Sequence, residues 1–304
     1  MMNPARPVIR YLGGKWRLAP WIIENLPSHD VYCEPFGGGG SVLLRKPRSL
    51  IEIYNDLDDD LVNLFRVLRA PDMAGHLIGQ LELTPFARSE WVAAYEHTLD
   101  PVERARRLIV RSFMGHSSCA SRIDRTTGFR ACNLRANADP AKSWATYPEA
   151  LRLVIARFAG VAIEQRPAEE LIIQRDGPEV LFYVDPPYVQ STRSLKQTRC
   201  APSNGYRHEL ADADHERLLD VLLSVQGKVV LSGYPSAIYD RMLKGWLVVK
   251  RQAMADGGRE RTEVLWLNPA AATAGEVARP VHHQTLFENA NGVRTDPGGV
   301  AVSA

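Results

Sequence analysis

No run of about 18 apolar residues occurs in the 304-residue chain, which excludes a membrane-spanning helix of ordinary length. The opening residues, Met1 to Pro7, lack the apolar stretch of a secretory signal, so a cytoplasmic protein is expected. Cysteine is scarce. Cys33, Cys119, Cys132 and Cys200 form no Cys-x-x-Cys pair, so free thiols are expected and neither a zinc site nor any other metal site is. Gly-x-x-x-x-Gly-Lys-Ser/Thr is absent, which disfavours a nucleoside-triphosphate loop. There is no internal repeat.

Net charge is nearly absent too, at +2. Its distribution is uneven. Between Arg104 and Arg157 stand eleven basic residues, Arg104, Arg106, Arg107, Arg111, Arg122, Arg125, Arg130, Arg135, Lys142, Arg152 and Arg157. The three acids there are Asp124, Asp139 and Glu149, so the segment carries +8 and the remainder −6. A basic block on a near-neutral chain is expected to face a polyanion, with nucleic acid the foremost candidate. The plainer reading is a solvated helix face, but the enrichment is long and almost all arginine.

What is present is ordinary for a globular protein: 45% hydrophobic and 24% charged residues. Short apolar, β-branched runs predict strands at Val31–Glu34, Leu50–Tyr54, Val161–Gln165, Leu181–Val184, Val229–Ser232, Leu247–Lys250 and Val264–Leu267. Apolar residues at helical spacing predict helices over Lys15–Asn25, Asp59–Leu68 and Asp212–Leu223. The alternation argues for an α/β fold with a mostly parallel sheet. Residues 71–159 break the rhythm with mainly helical patterns and a Gly/Ser/Thr/Arg-rich loop from Gly115 to Arg130, as expected of an insertion between the second and third strands. The tail from Pro269 has no periodicity and is expected to be disordered.

Residues 181–188 read Leu-Phe-Tyr-Val-Asp-Pro-Pro-Tyr, a buried strand ending in an acid, two prolines and an aromatic ring. The Asp185 carboxylate and the Pro186 backbone carbonyl can accept both hydrogens of an exocyclic amine, and Tyr188 can stack on the base that carries it. The plainer reading is a strand followed by a rigid turn. Earlier, the strand ending at Glu34 runs into Pro35-Phe36-Gly37-Gly38-Gly39-Gly40-Ser41, and the next ends in Asn55-Asp56. Glycines after a first strand let a ligand approach the backbone, and an acid after the second can accept from ribose hydroxyls. Both NAD and S-adenosyl-L-methionine fit that pair of features. Lys15, after Gly13-Gly14, can bring an ammonium to a ligand carboxylate.

Together these segments resemble the Dam-type adenine-specific DNA methyltransferases. Four blocks match in order: Tyr11 to Lys15, Glu34 to Ser41, Tyr54 to Leu57 with Asn63 to Phe65, and Asp185 to Tyr188. Val229 to Tyr234 and Glu263 to Asn268 also look like family segments. The resemblance runs from about residue 8 to 268, although the insertion matches the family's target-recognition domain poorly.

The resemblance implies a Rossmann-like methyltransferase sheet, mostly parallel with an antiparallel last strand, in residues 1–70 and 160–268, a mainly helical target-recognition insertion in 71–159 and a tail in 269–304. It implies an S-adenosyl-L-methionine pocket built from Tyr11, Lys15, Glu34, Phe36, Gly38, Gly40, Asp56 and Asp185. Asp185, Pro186 and Tyr188 would be catalytic toward N6 of an adenine rotated out of double-stranded DNA. DNA contacts are expected from Arg122, Arg125, Arg130, Arg135, Arg193, Lys196 and Arg199, and the loop Gln190–Glu209 is expected to close over the flipped base. A restriction–modification setting is in keeping with the family. His283 to Phe287 faintly resembles a sliding-clamp-binding peptide. Rival readings are N4-cytosine methylation, an inactive DNA-binding homologue, a nicotinamide dehydrogenase and an RNA substrate.

Overall fold

A computed structural model describes residues 4–116, 121–124, 126–130, 139–192, 207–255 and 259–278. In chain order the elements are α1 (Ala19–Glu24), β1 (Val31–Glu34), β2 (Ile51–Asn55), α2 (Asp59–Arg69), α3 (Pro71–Leu83), α4 (Arg88–Ala93), α5 (Pro101–Met114), α6 (Pro140–Ala145) and α7 (Tyr147–Phe158). There follow β3 (Ala162–Glu164), α8 (Ala168–Arg175), β4 (Val180–Val184), α9 (Asp212–Ser224), β5 (Lys228–Gly233), α10 (Ala237–Met242), β6 (Leu247–Ala255), β7 (Arg259–Leu267) and α11 (Pro269–Ala278).

One seven-stranded sheet has the order β3-β2-β1-β4-β5-β7-β6. The first five of these strands are parallel, while β7 pairs antiparallel with both β5 and β6. This is the mixed α/β, Rossmann-like arrangement expected. The sheet is apolar on both faces because alternate side chains point opposite ways. Tyr32, Leu181 and Tyr183 join one apolar cluster, and Cys33, Phe182 and Val184 join the other.

α2 begins on an Asp58 cap that accepts the Asp60 N–H at 3.0 Å. Asp59 and Asp60 lie in its first turn and Arg66 and Arg69 in its last, as the helix dipole favours. Its Leu61, Leu64 and Phe65 enter the first cluster together with Leu108, Ile109, Leu151 and Phe158 from the helices of 71–159. Those helices therefore share a core with the sheet's flank.

Three local expectations change. The helix predicted over Lys15–Asn25 is α-helical only from Ala19. Pro20 has no N–H for the Trp16 carbonyl, which instead accepts from Nη1 of Arg45 at 2.6 Å. The β6–β7 hairpin runs well beyond its apolar ends, since backbone pairing continues through Lys250 to Ala255 and Arg259 to Glu263. The tail is ordered over Pro269–Ala278, where the Asn268 side chain accepts the Ala271 N–H and Ala271 is buried. The segment His283 to Phe287 lies outside the described residues.

Candidate active site

Chain order reverses between β1 and β4: β1 leads to β2 on one side, and β4 lies on the other. Open α/β sheets bind ligands in the crevice beyond the carboxyl ends of such strands. Here that crevice is a solvent-open hollow of about 850 Å³, the open solvent included. Tyr11, Lys15, Glu34, Phe36, Gly38, Asp56 and Asp185 all line it.

The glycine loop is fastened to the end of β2. The Gly37 N–H donates to the Asn55 carbonyl at 2.8 Å, the Gly38 N–H to Oδ2 of Asp56 at 2.7 Å, and the Tyr54 hydroxyl to the Gly38 carbonyl at 2.7 Å. A Cβ at Gly37 would lie 2.2 Å from the Tyr54 ring, and Gly38 has φ +50°, so the tight turn requires glycine at both. Gly40 is absent from the cavity lining; its nearest side chains are Phe65 and Leu44, and it serves packing.

Glu34 ends β1, buried. Its Oε1 accepts from the Tyr32 hydroxyl at 2.6 Å and from the Leu43 N–H at 2.9 Å. Its Oε2 is buried with no hydrogen-bond partner. Burial pushes its pKa up to about 8, against the pull of those two hydrogen bonds. Asp56 accepts the backbone N–H groups of Asp58 and Gly38, yet burial still raises it to about 6.

Asp185 follows β4. Nζ of Lys15 lies 2.9 Å from its Oδ2 and donates to the Gly13 carbonyl, also at 2.9 Å. Lys15, expected to meet a ligand carboxylate, is thus paired with the strand-end acid. Oδ1 of Asp185 is buried without an aligned hydrogen-bond partner. Burial raises the Asp185 pKa, opposed first by the Lys15 charge and less by Ser232.

Pro186 and Tyr188 are buried and outside the cavity lining. The Tyr188 hydroxyl donates to Oε2 of Glu263 at 2.8 Å, Tyr234 meets its ring edge-on at 4.5 Å, and Nζ of Lys15 lies 4.6 Å from its centroid. Sequence reasoning assigned Glu263 no role. An acid immediately before the apolar run Val264–Leu267 that ends β7 was the available signal. His208 and Leu210, which also line the cavity, carried none.

Among the DNA candidates, Arg122 pairs with Asp124, and the backbone N–H of Arg130 donates to the Met114 carbonyl at 2.7 Å. Arg125, Arg135, Arg193, Lys196 and Arg199 lie outside the described residues. Much of the remaining basic block is matched internally. Arg104 bonds Asp59 and Asp60, Arg106 bonds Glu103 and Glu90, and Arg107 bonds Glu103. Arg111 donates to the carbonyls of Ala94 and Ser121, and Arg157 holds Glu52 at 2.7 and 2.8 Å. The block is therefore not, as a whole, a free cationic surface. No cluster of His, Cys, Asp and Glu suited to a metal ion occurs among the described residues, and no helix among them is long and apolar enough to cross a membrane.

A family model described as D12 class N6 adenine-specific DNA methyltransferase matches residues 11–252. A DNA adenine methylase of Serratia marcescens is 35% identical over 68 residues, covering 22% of this chain and 25% of that protein. The DNA adenine methylase of Escherichia coli K12 is 34% identical over 68 residues, covering 22% and 24%. The type II methyltransferase M.MjaIII of Methanocaldococcus jannaschii is 34% identical over 73 residues, covering 21% and 25%. The chain spans about a quarter of the length of the curated relatives it matches.

Proposed function

Because the chain belongs to the D12 class N6 adenine-specific DNA methyltransferase family, we propose that it transfers a methyl group from S-adenosyl-L-methionine to N6 of an adenine flipped out of duplex DNA. The observation that carries this reading is the pair of strand-end acids, Glu34 and Asp185, flanking one cavity with a buried oxygen of each left without an aligned partner. Unmatched buried acceptors are costly, and a ligand that donates to them removes the cost.

The residues suit the proposed methyl donor. Oε2 of Glu34 is placed to accept from an ammonium, Asp56 retains lone pairs for ribose hydroxyls, and Phe36 and Tyr11 supply half-buried rings. The glycine loop leaves backbone open to the cavity. When bound, S-adenosyl-L-methionine supplies a methyl group on a sulfonium.

Asp185 is the proposed acceptor for one N6 hydrogen and the Pro186 carbonyl for the other. The N6 lone pair is delocalised into the ring. Two hydrogen bonds from its N–H groups localise that pair and aim it. A donor nitrogen at hydrogen-bond distance from Asp185 is what this role requires, and the Lys15 ammonium supplies one at 2.9 Å. The incoming amine would take its place beside Tyr188, whose hydroxyl Glu263 anchors. Ring stacking there, worth about 1–3 kcal/mol, offsets part of the flipping cost.

Residues 71–159 are the proposed target-recognition region. Its described arginines available to DNA are fewer than composition suggests, with Arg130 foremost. Mass spectrometry of digested DNA after incubation with the protein and labelled donor tests the reading. N6-methyladenine is expected. N4-methylcytosine would transfer the same geometry to the other amine, and no labelled base at all would refute catalysis.

A further inference from the structure

His208 and Leu210 line the cavity, the first near the end of the loop Gln190–Glu209 expected to close over the flipped base and the second just after it. They follow Asp185 by more than twenty residues and precede α9. Helix α9 belongs to the apolar cluster on one face of the sheet, through Leu218, Leu219 and Leu222. Helix α2 belongs to the opposite cluster, through Leu61, Leu64 and Phe65. Nη1 of Arg207 nevertheless reaches Oδ1 of Asp58 at 3.0 Å and Oδ2 of Asp60 at 3.3 Å, at the start of α2. The contact therefore joins the segment entering α9 to the opposite flank of the sheet, beside the cavity.

Asp58 is the junction. It is buried. Its Oδ2 accepts from the Tyr11 hydroxyl at 3.3 Å, its Oδ1 from the Asp60 N–H and Arg207, and its own N–H donates to Asp56. One carboxylate thus links three parts of the cavity wall: the Tyr11 segment, the Asp56 end of β2 and the residue next to His208. Arg104 and Arg111 face Asp59 and Asp60 from α5. Arg207 ties the 207–210 segment to the same acid cluster.

We infer that His208 and Leu210 are methyl-donor-binding residues and that Arg207 is the positioning residue that seats them, by holding Asp58 and Asp60. This rests on the cavity being the donor site. It gives Arg207, within the loop expected to close over the flipped base, a part in donor binding. The Arg207 side chain is 41% exposed, and an ion pair that open to water contributes little to the fold. Its loss should register in ligand affinity and leave stability intact.

The test uses the full chain and S-adenosyl-L-homocysteine as the calorimetric probe. Arg207→Gln is expected to weaken probe binding roughly fivefold and to raise the donor KM by the same factor. The kcat at saturating donor, the unfolding midpoint and donor-free DNA affinity should hold. Arg207→Lys should recover part of the affinity. His208→Ala should weaken the probe, and adding Arg207→Gln to it should cost less than the two single effects multiplied, because the arginine acts through the segment. Unchanged probe affinity in Arg207→Gln and His208→Ala overturns the inference. So does a fall in DNA affinity and its salt slope with the probe affinity intact, which would make Arg207 a phosphate contact. A wild-type protein that fails to bind the probe removes the cavity reading itself, and this inference with it.

Discussion

At the carboxyl edge of the sheet, Glu34 and Asp185 each keep a buried oxygen without an aligned partner. In the helices of residues 71–159, arginines are matched to acids or carbonyls: Arg104, Arg106, Arg107, Arg111 and Arg157 all have named partners. A buried polar atom left unmatched costs about 1–3 kcal/mol, so two such atoms on acids that line one cavity mark a place where a ligand can complete them. Matched charges have less left for a ligand, although Nε of Arg157 keeps no aligned partner. Charge density along a chain therefore points to a ligand poorly, and unsatisfied valence in a cavity points to one well.

The sharpest way to break this contrast is at Arg157. It joins Lys46 on Glu52, and all three are buried. Burial pushes the Glu52 carboxyl up, but hydrogen bonds from Arg157 and Lys46 outweigh it and hold the pKa low. Arg157→Met leaves a buried carboxylate short of one partner and should lower stability by about 3–5 kcal/mol, read from urea midpoints. A loss under about 1 kcal/mol would mean that the cluster is solvated and that the arginine is available for DNA after all.

Asp185 is the counterpart. Asp185→Asn keeps the side-chain shape, yet it removes the negative charge and one acceptor. Methyl transfer should fall at least about 100-fold, as when one aligned group is lost from a reacting centre, read under conditions where the variant remains folded, because the buried Lys15 ammonium loses its charged partner. Substantial labelled-methyl incorporation by the variant would detach Asp185 from the chemistry.

The legible parts of this molecule were those encoded over a few residues. Val31–Glu34 and Leu181–Val184 read as strands because both faces are buried, giving unbroken apolar runs. The glycine loop and Asp56 announced themselves by position after the first two strands. The illegible parts depend on long separations. Arg157 meets Glu52 across 105 residues, and Arg207 meets Asp58 across 149. No local pattern tells whether an arginine on a helix finds an acid far away in sequence. The Lys15–Asp185 pair was hidden for the same reason, since the acid is contributed by a distant strand. α11 escaped because Ala-rich, weakly amphipathic sequence gains its order from Asn268 and from packing.

The unmatched acids also predict a pH dependence of opposite sense to the usual carboxylate. Glu34 keeps its proton in the folded state up to about 8, while its ordinary pKa is 4.5. Between these values the native state binds more protons than the unfolded chain, so stability falls as pH rises, by at most about 1.4 kcal/mol per unit. It is fully present below 4.5. Asp56, raised to about 6 from 3.8, adds to the lower part of the same slope. Glu52, held low, acts only below its ordinary 4.5, whereas Asp185 and Glu263, raised by burial, add to the decline and His29, lowered by burial, opposes it below 6.5. Thermal midpoints from pH 5 to 8 should decline, Glu34→Gln should flatten the decline, and S-adenosyl-L-homocysteine should flatten it too by donating to the ionised acid. A midpoint that climbs with pH in the parent would show that Glu34 is ionised and partnered.

The smallest effect separates one arginine from another within the basic block. Each phosphate contact contributes about 0.9 to the slope of log affinity against log salt for duplex DNA. Arg106 is bound to Glu103 and Glu90 and is mostly shielded, so Arg106→Gln should leave that slope unchanged, even if stability suffers. Arg130 lies half-buried beside the bridge between Gly115 and Phe129, at the end of the Gly/Ser/Thr/Arg-rich loop. Arg130→Ala should lower the slope by about one contact and weaken binding on specific and non-specific duplexes alike. Equal slopes for both variants would place the DNA surface elsewhere. A reduced slope for Arg106→Gln would show that DNA competes successfully for an arginine already holding two acids, and the distinction between matched and available cations would then collapse.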